Sequence, residues 1–352
     1  MKQFLADCRK GRGWRRWTVW ILGGVLLIAA VCYAWISLSA GTSPVRLVVY
    51  ALSTQQEVLT QGVFPAFEKE WEEETGRELV LEGVFGPSGT LAGQINLGAP
   101  ADVTLFSNAQ HVTWLQIGRR VRKGTEPVVV GCTPMVILTR PGNPAGVAEF
   151  ADLAQPGLRV LHPDPRSSGA GEWAVLAEYG SSLLESGDRA AAEEQLGAIW
   201  RNVRLLAPSA RSTLSLFELG AGDAMVTYEQ DARLALDRGV ALEIVVPSRT
   251  IVAQHVAVIV DDNVTSAERP AARAFVDFLM GDTGQEILNR YHLRPVDLDG
   301  ELFPELAHPF SVEDLGGWSQ AYTGLVETVW QGEIEPYLEL EPSSILLDGG
   351  GR

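Results

Sequence analysis

Residues 45–76 read VRLVVYALSTQQEVLTQGVFPAFEKEWEEETG, a largely apolar run followed by a stretch of helical periodicity that Gly76 ends. Val45 to Ala51 has the composition of a buried strand, and Thr54 with Glu57 forms a T-x-x-E capping box that should open the helix. A second strand is predicted over Glu78 to Phe85, then a Gly-Pro-Ser-Gly turn, a helix over Thr90 to Leu97 and a third strand in ADVTLFS, residues 101–107. Strands alternating with helices imply parallel β-α-β units, and in such sheets ligands bind outside the carboxyl ends of the strands. The fold class is therefore α/β.

The pattern changes at Val128 to Arg140, a long apolar strand followed by the turn-rich PGNPAG. A second unit then repeats the alternation. Its strands are LRVLHP, VRLLAP and DAMVTYE, and its helices begin at Glu172, in DRAAAEEQLGAIWRN and in TLSLFELG. Another apolar strand, Ile251 to Val260, leads into a helix predicted over Ala271 to Tyr291. Two lobes joined by two crossing strands imply a hinge with a cleft at the crossings. The expected division is 45–135 with 250–335 for lobe 1, 136–249 for lobe 2, and 336–352 as a tail.

The N-terminus stands apart. Residues 1–16 hold six basic side chains against Asp7 and precede an almost charge-free run over 17–38. That run is long enough to span about 30 Å of hydrocarbon as a helix, and its basic flank should remain cytoplasmic. A transmembrane anchor is expected, with a cleaved signal as the rival reading, followed by a linker over 39–44. The whole chain has 28 basic and 44 acidic residues, and without its first forty residues it has 22 and 43, a net charge of −21. Such a balance excludes nucleic acid as a partner, because phosphate contacts need clustered Lys and Arg. Cys132 alone falls in the exported part, so that part must rest on its core.

Four predicted strand-to-helix junctions carry small hydroxyls: Ser53-Thr54, Ser88-Gly89-Thr90, Ser167-Ser168-Gly169, and Ser209 with Ser212-Thr213. Each alone reads as an ordinary N-cap. Together, in two lobes, they point to an anion site. A helix N-terminus offers unpaired amides and about half a positive charge, so an oxyanion can be held there without Lys or Arg.

The segments FGPSGTLAGQINLGAPADVTL, HPDPRSSGAGEWAVLAEYG, APSARSTLSLFELGAGDAMVTYEQD and ILNRYHLRPV resemble the sulfate/thiosulfate-binding proteins of bacterial ABC importers. The first also looks like molybdate binders and other type 2 periplasmic binding proteins. The resemblance runs from about Val45 to Gln331. It implies two α/β lobes closing on a dehydrated tetrahedral oxyanion held by backbone amides and a serine hydroxyl, with no cofactor and no metal. It further implies a monomer outside the cytoplasm that delivers its anion to a permease driven by an ATPase. By position, Ser88 and Gly89 match the first-lobe serine loop. Ser168 matches the second-lobe serine whose hydroxyl donates to the ligand, and Gly169 and Ala170 match two amide-giving glycines. Ala210 and Arg211 fall on a short loop that contributes an amide, and Tyr228 stands where sulfate binders carry tryptophan. Ser53 and Thr54 occupy a first loop that lacks the Asp and Arg expected of a sulfate binder. These departures leave molybdate or tungstate open as the anion, and an iron binder or a membrane-anchored sensor on the same fold remain alternatives.

Other residues have blander readings. Asp102 reads as a loop cap and Trp173 as packing on a lobe core, while Arg211 could pair with the anion or with Glu229, the internal pair being preferred. The five histidines are scattered, against a metal cluster. Gly169 to Ala174 matches G-x-G-x-x-A, but His162 to Ser168 separate it from the preceding strand, which is wrong for a dinucleotide fold. Gly86 to Gly89 does not match G-x-S-x-G, so no enzyme is expected.

Overall fold

The computed structural model describes residues 44–296 and 303–338, with a few helical positions between 21 and 31. The basic segment 1–16, nearly all of the expected anchor and linker, and residues 339–352 of the tail lie outside the described residues. Among the described residues no helix is long and apolar enough to cross a membrane.

Ten strands run in the order β2-β1-β3-β9-β4-β7-β5-β6, with β8 beside β4 and β10 beside β9. The first lobe is built on β1 (Val45–Leu52), β2 (Leu79–Gly86) and β3 (Val103–Phe106), all parallel. The second lobe is built on β5 (Val160–Pro163), β6 (Val203–Ala207) and β7 (Ala224–Tyr228), also parallel. Between them lie the two long strands β4 (Val128–Thr139) and β9 (Arg249–Ile259), antiparallel to each other. β4 changes partners along its length: Val128 to Pro134 pairs with β9, while Met135 to Thr139 pairs with β7. These are the two crossing strands expected from the sequence. β8 (Glu243–Val245) and β10 (His308–Phe310) are short edges.

The helices are α1 (Phe64–Thr75), α2 (Ser88–Asn96), α3 (Ala109–Ile117), α4 (Gly169–Ser186), α5 (Arg189–Trp200), α6 (Ala210–Glu218), α7 (Glu229–Asp237), α8 (Arg269–Met280), α9 (Asp282–Arg290) and α10 (Gly317–Ala321). They cover both faces of the sheets. Leu47 and Val49 of β1 pack in one cluster with Phe64 and Phe67 of α1 and Phe275 of α8. Tyr50, on the opposite face, packs with Leu91, Ile95 and Leu115 of α2 and α3. A near-continuous apolar run is therefore what such a strand requires, with Arg46 exposed near its start.

Several sequence expectations are corrected. The capping box is not formed: Ser53–Gln55 is a 3-10 turn without a side-chain cap, and Thr54 Oγ1 is buried without a hydrogen-bond partner. Glu57 faces Arg238 at 3.6 Å instead. Helices α2, α4 and α6 start two or three residues earlier than predicted, at Ser88, Gly169 and Ala210. The helix predicted over Ala271 to Tyr291 is two, broken where Gly281 turns extended at ψ 165°. Gly284 then packs so close to the Phe278 carbonyl that a Cβ would collide with it.

The C-terminal segment has no counterpart among the sequence predictions. After β10 come α10 and a π-helical run over Tyr322–Ile334. Trp318 meets Trp173 of α4 at 4.6 Å, and Trp330 meets Trp200 of α5 at 5.1 Å. Tyr322 meets Trp114 of α3 at 5.5 Å, so the segment spans both lobes.

Candidate functional site: a cleft between helix N-termini

The carboxyl ends of β1, β2 and β3 face those of β5, β6 and β7, and the chain leaves each end into a helical turn. Ser53 and Thr54 follow β1, and Ser88 opens α2 behind Pro87. Ser168 is the N-cap of α4, whose first two residues are Gly169 and Ala170. Ala210 opens α6, and Tyr228 is the N-cap of α7. These residues line one cavity with an empty volume of about 190 Å³, completed by Leu52, Gly86, Pro87 and Ser107. Among the described residues no lysine, arginine or carboxylate lies on its wall.

Several helix N-termini thus converge on one small space. The first amides of each helix lack intrahelical partners and carry the positive end of the helix dipole. Ser168 makes no capping bond, which leaves its hydroxyl available to a ligand. By contrast, Ser209 caps α6 by accepting from the Ser212 amide at 3.1 Å. Ser88 Oγ accepts from the Ser107 amide at 3.1 Å and keeps its own proton to donate. Thr54 Oγ1 is buried without a hydrogen-bond partner at the wall, and the Ser107 hydroxyl lies beside the Tyr228 phenol. Burial, more than the nearby Asp231 carboxylate, pushes the Tyr228 phenol well above its ordinary range, so its hydroxyl keeps its proton.

Two predicted residues lie off the wall. The amides of Gly89 and Thr90 reach across the cleft to the Ser167 carbonyl at 3.0 and 3.3 Å. Arg211 points away and donates from Nε to the Ser53 carbonyl at 3.1 Å. Its expected pairing with Glu229 is not made, because Glu229 is held by Arg294 at 2.7 Å and Arg233 at 2.7 Å. Asp102 is neither a ligand group nor a loop cap. Its carboxylate accepts from the Val48 amide at 2.8 Å, tying β1 to β3 below the cleft. Arg166, the basic residue next to the serine pair, is engaged by Asp164 and Glu335 at 2.7 Å each.

Residues invisible as a group in the sequence hold the cleft shut. Glu172 of α4 is fully buried, accepts from Asn108 Nδ2 at 2.6 Å and stands 3.2 Å from His111 Nε2, both from the first lobe. Trp173 is buried as expected, but its indole also donates to the Ser107 carbonyl at 2.8 Å. On the other side Gln55 Nε2 donates to Gln230 Oε1 at 2.6 Å and faces His255 Nδ1 at 3.1 Å. Burial holds His255 neutral, lowering its pKa to about 3. No local motif marks these pairs, since their partners are 61 to 200 residues apart.

A closed cleft between two α/β lobes, lined by helix N-termini, defines a binding protein for a small solute. The chain belongs to the family of bacterial extracellular solute-binding proteins, whose model matches residues 47–294. It is a family of binders rather than of catalysts, and it works outside the cytoplasm. The chain is similar to the sulfate-binding protein of Salmonella typhimurium, with 31% identity over 318 residues, 86% of this chain and 94% of that one. It is similar also to the thiosulfate-binding protein of Pseudomonas aeruginosa, 29% identical across 72% of this chain and 81% of that one. Among solved structures, the sulfate-binding protein SubI from Mycobacterium tuberculosis superposes with a TM-score of 0.73 and 26% identity, covering 80% of this chain and 99% of that one.

Proposed function

We propose that the cleft binds sulfate or a close tetrahedral relative such as thiosulfate and delivers it to the permease of an ABC importer. The observation that carries this reading is the convergence of neutral donors on a wall without a cationic side chain. Hydrogen bonds to a charged group contribute roughly 1.5 to 3 kcal/mol each, so five or six give on the order of 10 kcal/mol before ordering costs. Micromolar binding needs about 8 kcal/mol, so backbone amides with Ser168 and Ser88 are enough. The wall also lacks a carboxylate to accept the proton of hydrogen phosphate, which favours a fully ionised anion. In this reading Ser88, Ser168, Gly169, Ala170, Ala210 and Tyr228 hold the ligand, Ser53 and Thr54 close its first-lobe side, and Gly89 and Arg211 join the lobes. The lobes are 45–135 with 250–335 and 136–249. The protein acts as a monomer tethered to the outer face of the membrane by residues 17–38.

Calorimetric titration of the full chain in mild detergent with sulfate, thiosulfate, molybdate, tungstate and phosphate tests this. Heat with sulfate or thiosulfate at micromolar concentration is expected, and no heat with any of the five would sink the oxyanion reading.

A further inference from the structure

A second cavity, with an empty volume of about 490 Å³, lies beside the first. Its wall includes Thr54, Arg211, Ser215, Glu218, Asp231 and Arg238. Thr54 also lines the inner cavity, and Arg211 is bonded to Ser53 of the inner wall, so these two residues form the partition between them. The two arginines are not equivalent. Arg238 stands 3.6 Å from Glu57 and 3.8 Å from Glu218. Among the described residues Arg211 has no carboxylate within ion-pair distance, although the exported part of the chain is strongly acidic. Asp231, which shares this wall with it, is buried. Burial raises its pKa to about 7, so below neutrality it cancels little of the Arg211 charge.

We infer that this outer cavity is a capture site for the same divalent oxyanion, in which Arg211 takes the anion from solvent and passes it to the amides of the inner cleft. The inference rests on the oxyanion reading above. An inner site of fixed dipoles selects by shape and protonation but exerts little attraction at a distance, and the acidic surface repels the ligand. A guanidinium at the rim supplies that attraction where the path begins. Once the anion is inside, Arg211 Nε bonds to the Ser53 carbonyl and the partition closes behind it. Electrostatic focusing of this kind raises association rates 10-fold to 1,000-fold and is weakened by salt.

The test is stopped-flow tryptophan fluorescence on the full chain in mild detergent, with sulfate as the probe. For Arg211→Gln the association rate constant should fall about 10-fold at low ionic strength and lose the decline with salt seen in the wild type. Arg211→Lys, which keeps the charge, should stay within about threefold of the wild type. Ser215→Glu places a negative charge on the outer wall without touching the inner one and should also slow association, which guards against a folding defect in Arg211→Gln. If Arg211→Gln and Ser215→Glu associate at the wild-type rate and only dissociation changes, Arg211 is a clasp between lobes and the capture site is overturned while the oxyanion reading stands. A wild type that binds none of the five anions overturns both.

Discussion

Ser168 is the side chain whose role separates most cleanly from stability. It is buried at an N-cap yet makes no capping bond, so Ser168→Ala should weaken sulfate binding by roughly 1 to 3 kcal/mol in calorimetry while the unfolding midpoint stays put. Gly169 beside it is a harder constraint. A Cβ there would collide with Ser107 Oγ, so Gly169→Ala should push the lobes apart and weaken binding more than Ser168→Ala does. Asp231 makes a prediction in pH. Its folded pKa is about 7, raised mainly by burial from 3.8, so between about pH 4 and pH 7 the folded state keeps a proton that the unfolded chain has released. Stability therefore falls as pH rises through that window, by up to about 4 kcal/mol. Asp231→Asn should be more stable than the wild type in urea at pH 8 and lose that advantage near pH 4. At this scale the sequence was readable where chemistry is local, as in the serine pair at 167–168. It misled at Arg211, because whether a guanidinium meets Glu229 or the Ser53 carbonyl is decided by a lobe contact 158 residues away.

The elements show where pattern reading succeeds. β1, β4 and β9 were recognisable because strands covered on both faces need near-continuous apolar runs. The helix starts were placed late for a physical reason: their first turns are rich in serine and glycine, which disfavour helix on average, and tertiary contact overrides that preference. The same turns are the site, so the least helical-looking part of each helix carries the function. The C-terminal segment escaped because its π-helical run shifts the apolar spacing and its glycines at 316, 317, 324 and 332 read as loop. Its weight is nonetheless structural. Trp330 is fully buried against Trp200, so Trp330→Ala should cost about 3 to 5 kcal/mol of unfolding free energy, measurable by chemical denaturation. Retained stability would mean that the segment is a passive cover.

For the molecule as a whole, the contacts across the cleft set the balance between open and closed forms. Glu172 is one of them, a buried carboxylate whose neighbours come from the other lobe. Glu172→Ala should leave the Asn108 amide without its acceptor and favour opening. X-ray scattering of the ligand-free variant should then show a larger radius of gyration than the wild type, restored by saturating sulfate. Identical scattering from the two ligand-free proteins would show that closure does not depend on this carboxylate. The cleft has one further property, which follows from the bond between the Gly89 amide and the Ser167 carbonyl. That bond, like most of the expected contacts to the anion, is made by main-chain atoms that every residue type but proline possesses. A random mutagenesis screen for lost uptake should therefore recover few polar-to-apolar exchanges around the cleft and many that bend the path of the chain, such as replacements of Gly169 or prolines introduced into the first turns of α2 and α4. Lineages can drift far in side-chain composition and keep the same appetite for anions, provided the loops still run where they run.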